Sequence, residues 1–121
     1  SMTQENILKP KILIFATPIY WYMPSAQMKI FIDRISTLLF YNTDLLKAFE
    51  SKKVLLITSY GSHPYGRNGF ENIFTNITKY LKMQYIASYF HYSGKNQNIS
   101  QVNQPNLTTF LSSLRIALKT K

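Results

Sequence analysis

The sequence predicts an α/β fold of three layers, a parallel sheet with helices on both faces, and three observations carry that reading. First, residues 11–17 (KILIFAT) form a continuous apolar run between Pro10 and Pro18. Residues 53–60 (KVLLITSY) repeat the pattern and end at Gly61, and residues 84–92 (QYIASYFHY) form a third run ended by Ser93 and Gly94. Runs without alternation are how strands buried on both faces read. Second, the intervals carry helical periods: Met28, Phe31, Ile32, Ile35 and Leu39, then Phe70, Ile73, Phe74, Ile77 and Leu81. A third stripe runs Leu107, Phe110, Leu111, Leu114 and Leu118. Third, strand and helix alternate strictly, so right-handed crossovers give parallel strands with helices on the faces.

Each boundary has a local signal. Pro18 stops the first strand, and Pro24 and Ser25 open the first helix. A helical turn over residues 44–49 leads into the second strand. Asn68 with Glu71 three residues on resembles a capping box for the second long helix. Pro105 suits the first turn of the last helix, which leaves the Asn-rich residues 96–106 as a polar loop. No repeat, linker or low-complexity block interrupts the chain. Its 121 residues make one domain, counted over residues 2–121 because Ser1 reads as a remnant of tag cleavage.

Composition narrows the function classes. The chain is 45% apolar and 15% aromatic, enough for a packed core. It has no cysteine, which excludes disulfides, thiolate metal sites and a cysteine nucleophile and fits a cytoplasmic protein. Residues 2–9 contain no apolar stretch of the kind a secretory signal needs. No apolar run approaches the roughly 20 residues of a membrane span. Fourteen Lys and Arg against five Asp and Glu give a net charge of +9, which favours anionic partners. The cations are scattered rather than interleaved with aromatics, so nucleic acid is not the expected partner. His63 and His91 stand singly, no metal-ligand set is visible, and Tyr85, Tyr89 and Tyr92 read as packing residues.

In an open parallel sheet, ligands bind beyond the carboxyl ends of the strands. The first such end is Thr17, Pro18, Ile19, Tyr20, Trp21 and Tyr22: a proline, then three aromatic rings in succession. Such a loop suits a planar ring, covering its faces while backbone N–H groups meet its carbonyls. The second end, residues 58–66, holds Tyr60, Gly61, Ser62 and Gly66, where glycine lets the backbone approach a ligand and hydroxyls supply hydrogen bonds. Arg67 beside Gly66 reads as a solvated loop charge, with a contact to a nicotinamide phosphate as the alternative. Lys29, Asp33 and Arg34 lie within one turn and read as a structural ion pair.

Ala16-Thr17-Pro18-Ile19-Tyr20-Trp21, with Ser25 to Lys29 and Phe31-Ile32-Asp33-Arg34, resembles the flavodoxin-like NAD(P)H-dependent FMN reductases and quinone reductases. Lys52-Lys53-Val54 and Lys82-Met83-Gln84 resemble that family's later strand entries, with Lys82 where glycine is usual. The resemblance implies a flavodoxin-like three-layer fold, FMN as cofactor and NAD(P)H as co-substrate. It implies flavin contacts for Thr17, Pro18, Ile19, Tyr20 and Trp21, and for Tyr60, Gly61 and Ser62 along the other edge. The flavin carries the chemistry, so no catalytic side chain is implied.

The family's first strand and its Ser/Thr-rich phosphate loop have no counterpart ahead of Lys11. The expected sheet is therefore truncated, with about three strands. Its strand edge from Lys11 to Thr17 would lie bare, which predicts a homodimer or a complementing chain there. The expected function is an FMN-dependent NAD(P)H oxidoreductase or a piece of one. The alternative is a non-catalytic flavodoxin-like remnant serving as an oligomerisation or binding module.

Overall fold

The computed structural model describes residues 7–61, 64–94 and 99–120, with side chains left aside at 64 and 99–104. The elements are β1 (Ile12–Tyr20), β2 (Met23–Pro24), α1 (Ala26–Tyr41), α2 (Leu45–Phe49), β3 (Lys53–Tyr60), a 3-10 turn (Pro64–Arg67), α3 (Phe70–Tyr80), β4 (Gln84–Tyr92) and α4 (Ile99–Lys119). The sheet has four strands in the order β2-β1-β3-β4, with β1, β3 and β4 mutually parallel. The expected three-strand sheet thus gains a two-residue fourth strand, antiparallel to the end of β1.

β1 outruns its expected end. It continues through Pro18, which pairs with Ser59, as far as Tyr20. Proline is tolerated because this flank of β1 is an edge, where a missing N–H costs no ladder bond. β2 meets only Ile19 and Tyr20, so among the described residues the outer flank of β1 from Ile12 to Pro18 has no strand beside it.

Alternation along β1 sends Phe15, Thr17 and Ile19 to one face, where all three are buried. There Phe15 packs against Phe31 of α1 at 6.0 Å and Phe74 of α3 at 5.5 Å between ring centroids. Val54, Leu56, Phe70 and Phe90 complete this core. On the opposite face α4 covers β4, with Phe110 set 6.2 Å from Tyr89. Ile14, on that face of β1, is left 47% exposed. A register shift pairs Val54 with Tyr85 but Leu55 with Ala87, making Ile86 an extra residue. The bulge keeps Tyr85, Ser88 and Phe90 on the same face.

Two local expectations fail, each because a longer-range contact wins. α3 starts at Phe70 behind Gly69, which takes φ +75° and makes no side-chain cap. Asn68 is therefore not the cap, and the Glu71 carboxylate is taken by residues of β4. α4 starts at Ile99, so Pro105 lies inside the helix instead of in its first turn, and the polar stretch from Ile99 onward is helical, not loop. Residues 95–98 lie outside the described residues.

The basic residues at the lower end of the sheet have a structural use. Lys52 is 7% exposed and donates to the Leu8 carbonyl at 2.7 Å and to that of Pro10. Burial pulls its pKa below the usual lysine value. Lys53 donates to the carbonyls of Ala117 and Thr120, both at 3.1 Å. Leu8 and Ala117 lie in helical segments, so these cations neutralise helix C-terminal carbonyls.

Ser51 and Lys82 follow α2 and α3 at φ +69° and +55°, and the Ser51 amide donates to the Lys82 carbonyl at 2.9 Å. This is the left-handed position after a helix that glycine normally fills. The ion pair from Lys82 to Glu50 is exposed and spans 3.8 Å, so it contributes little. Lys82→Gly should therefore raise stability by about 0.5–1 kcal/mol, read as a higher urea midpoint at unchanged slope.

Among the described residues, no helix is long and apolar enough to cross a membrane, and no cluster of His, Asp and Glu could hold a metal ion.

Candidate functional site

β1 and β2 form a hairpin with a two-residue tip, Tyr20 pairing with Met23 and Ile19 with Pro24. Both tip residues have positive φ, +52° at Trp21 and +67° at Tyr22. That is the signature of a type I′ turn, whose ordinary occupants are Asn-Gly or Asp-Gly. Two bulky L-residues there cost roughly 1–2 kcal/mol each. The base of the hairpin holds them. The Ser25 amide donates to Thr17 Oγ1 at 3.0 Å, Thr17 Oγ1 lies 3.3 Å from Ser25 Oγ, and Ser25 Oγ caps α1 by accepting from the Met28 amide. Strain fixed in this way leaves the Trp21 ring 91% exposed, with Tyr20, Tyr22 and Met23 also exposed beside it.

The opposing wall comes from the end of β3 and the 3-10 turn. Tyr60 packs against Tyr92 at 5.3 Å between ring centroids, the planes tilted by 44°, and Ser93 donates to the Tyr60 carbonyl through its amide at 2.8 Å and its hydroxyl at 3.0 Å. Gly66 folds onto this wall: a Cβ there would sit 3.2 Å from the Gly61 carbonyl and 3.3 Å from the Tyr60 ring. The two walls enclose a cleft of about 590 Å³ lined by Ile19, Tyr20, Trp21, Tyr22, Tyr60, Gly61 and Gly66. Its size falls in the range of small-molecule sites.

The expected contact residues divide into three groups. Ile19, Tyr20, Trp21, Tyr60 and Gly61 come together on the cleft. Thr17 is 4% exposed; its hydroxyl oxygen accepts from the Ser25 amide and lies 2.9 Å from the Pro18 carbonyl, so it supports the hairpin from below. Pro18 faces a shallow hollow on the other side of the sheet, with Ala16, Ile57, Ser59 and His91. Ser62 and His63 lie outside the described residues. Tyr22 and Gly66 join the lining without having been singled out as contacts; the first follows from aromatic adjacency, whereas the second needs the fold of the 3-10 turn. His91 sits 3.0 Å from the Tyr89 hydroxyl through Nδ1. Asp33 pairs with Lys29 at 2.6 Å. Arg67 stays partly exposed on the 3-10 turn, with its guanidinium carbon 3.6 Å from the centroid of the Phe90 ring.

Among the described residues, no Lys, Arg, Asp, Glu or His lines the cleft. It presents aromatic faces, backbone amides and glycine, a surface for a planar, uncharged ring.

Comparison with known proteins agrees with this architecture. The family described as flavodoxin-like fold matches residues 1–107. A stretch of 32 residues is 62% identical to YwqN of Bacillus subtilis (strain 168), named as an NAD(P)H-dependent FMN-containing oxidoreductase, and spans 26% of this chain and 18% of that protein. The solved Trp repressor binding protein from Bacillus subtilis superposes with a TM-score of 0.74 at 30% identity, over 87% of this chain and 64% of its own. A flavodoxin, WrbA-like protein from Agrobacterium tumefaciens gives 0.68 at 16% identity, over 98% and 75%. An NADPH-quinone reductase from P. pentosaceus gives 0.65 at 18%, over 98% and 73%. The chain thus spans less than two thirds of both Bacillus proteins.

Proposed function

The chain belongs to the flavodoxin-like fold family, and from that premise we propose that its cleft holds the ring of FMN for an NAD(P)H-dependent oxidoreduction of the flavin- or quinone-reductase type. The observation that carries the reading is the strained aromatic hairpin facing Tyr60, Gly61 and Gly66. Strain of this kind persists where a site requires it. When bound, the flavin supplies hydride acceptance and donation. This chain's residues do the rest: the hairpin offers aromatic and apolar cover to a ring face, and the glycines bring backbone amides within reach of its polar edge.

The described lining residues fit the ring and not the phosphate. They include no cation, so none of them forms the charge-assisted bonds a phosphate uses. Riboflavin and FMN should therefore quench on titration with affinities within about threefold of each other, a difference below 1 kcal/mol. Flavin fluorescence unchanged by the protein at millimolar flavin sinks the reading and favours the second one, a non-catalytic module of flavodoxin-like fold.

The open flank of β1 is the favoured partner surface. Beside it Leu13, Ile14, Ala16, Met28 and Phe31 line an apolar groove. An unpaired apolar edge invites a strand from a second copy or a complementing chain. Light scattering at micromolar concentration tests this, with a monodisperse monomer as the result against it.

A further inference from the structure

We propose that the end of the molecule opposite the cleft docks on the surface of an anionic lipid bilayer. The cations scattered along the chain gather there in space. β1, β3 and β4 all begin at this end, with Ile12, Lys53 and Gln84 side by side in the sheet. α1, through α2, and α3 return to it to feed the next strand, and Lys53 ties the last turn of α4 to it. Exposed Lys11, Lys47, Lys79, Lys82 and Lys119 thus join Lys52 and Lys53, against two carboxylates among the described residues, Asp44 and Glu50. Lys9, Lys11, Lys52, Lys53 and Leu118 line one hollow at this end.

Helix ends account for part of this charge, since Lys47, Lys79 and Lys119 sit in last turns, where cations offset the helix dipole. They do not account for the apolar side chains set among the lysines. Phe40 and Tyr41 close α1 as an exposed edge-on pair with ring centroids 5.4 Å apart. Tyr80 closes α3, and Ile116 and Leu118 lie exposed in the last turn of α4. A membrane-surface patch combines these two features: lysines drawn to anionic headgroups, and rings and aliphatic chains that enter the acyl boundary. Nucleic acid shares the charge requirement, but its bases stack on rings, and Ile116 and Leu118 offer none. Among the described residues no helix could cross a membrane, so the contact is peripheral. The 8 residues of β3 set the cleft roughly 25 Å away, so docking leaves it facing solution.

The test is sedimentation of the full chain with large vesicles of phosphatidylcholine, alone or with about 30% phosphatidylserine, at low salt. The chain should pellet with the anionic vesicles and not with the neutral ones, and added salt should release it. Lys11→Gln, Lys47→Gln and Lys79→Gln together should weaken binding about 100-fold, at roughly fivefold per lysine. Phe40→Ser with Tyr41→Ser should weaken it about tenfold. Trp21, the single tryptophan of the chain, lies at the far end and should keep its emission maximum on binding. Indifference to anionic vesicles at low salt overturns the proposal, as does undiminished binding by the Phe40→Ser/Tyr41→Ser variant. A blue shift of Trp21 also overturns it, because the aromatic hairpin is then the end that meets the bilayer. Tighter binding to a DNA duplex in the same buffer overturns it in favour of nucleic acid. All five substitutions fall on exposed positions, and circular dichroism checks each fold; should a variant fail to fold, the vesicle, DNA and Trp21 readouts on the native chain decide.

Discussion

Replacing Trp21-Tyr22 with Asn-Gly is expected to make the protein more stable and its cleft nearly inert. The tip of the β1–β2 hairpin holds both residues at positive φ. Asn-Gly adopts that geometry at little cost, so relief of roughly 1–2 kcal/mol per residue, less the extra chain entropy of glycine, leaves a net gain of about 1–3 kcal/mol. The Trp21 ring, 91% exposed, makes almost no contact in the protein alone, so little packing is lost with it. A flavin ring stacked on it would bury on the order of 100 Å² of apolar surface, worth about 2.5 kcal/mol. Affinity for FMN should then fall by a factor between about 30 and 100. Urea unfolding and fluorescence titration read the two effects on one sample. A variant that is both less stable and unaltered in flavin affinity would show that the tip is neither strained nor used.

Gly94→Ala is the second large effect, and it runs against stability. Gly94 does not have a positive φ; space is what requires glycine there. A Cβ at this buried position would lie 2.0 Å from the Tyr92 hydroxyl and 2.1 Å from its Cζ. The tyrosine ring is rigid, so it must swing away from Tyr60, against which it packs at 5.3 Å with the planes tilted by 44°. Overpacking at about 1–3 kcal/mol plus the lost aromatic pair at 0.5–1.5 gives an expected loss of about 2–4 kcal/mol. Tyr60 lines the cleft, so ring affinity should fall as well. Gly61→Ala is the control. Among the described residues its Cβ would meet Ser93 Oγ at 3.4 Å, an ordinary contact, so stability should hold within about 0.5 kcal/mol.

Most of the fold was legible because it rests on short-range pattern. The apolar runs over residues 53–60 and 84–92 coincide with β3 and β4, and the stripe from Phe70 to Leu81 with α3. Pattern misled where a residue has both a local and a distant use. Pro18 reads as a strand end but sits within an edge strand, because whether its missing N–H matters depends on what lies beside it. Asn68 and Glu71 have capping-box spacing, yet the carboxylate reaches hydroxyls 14 and 17 residues away.

The same division runs through the site. The sequence by itself determined that three aromatic rings follow the first strand and that glycines end the second, because composition and order are local properties. It also determined the alternation of elements that brings those two ends to one side of a parallel sheet. Only the tertiary structure decided that Trp21 and Tyr22 form the tip of a strained hairpin, that Thr17 supports it from below, and that Gly66 completes the opposite wall. It alone decided that Lys52 and Lys53 neutralise helix ends and that Arg67 rests on Phe90. These three cations reach partners 23 to 64 residues away, Phe90 for Arg67, Leu8 for Lys52 and Ala117 for Lys53. No periodicity along the chain encodes which of its distant groups will meet.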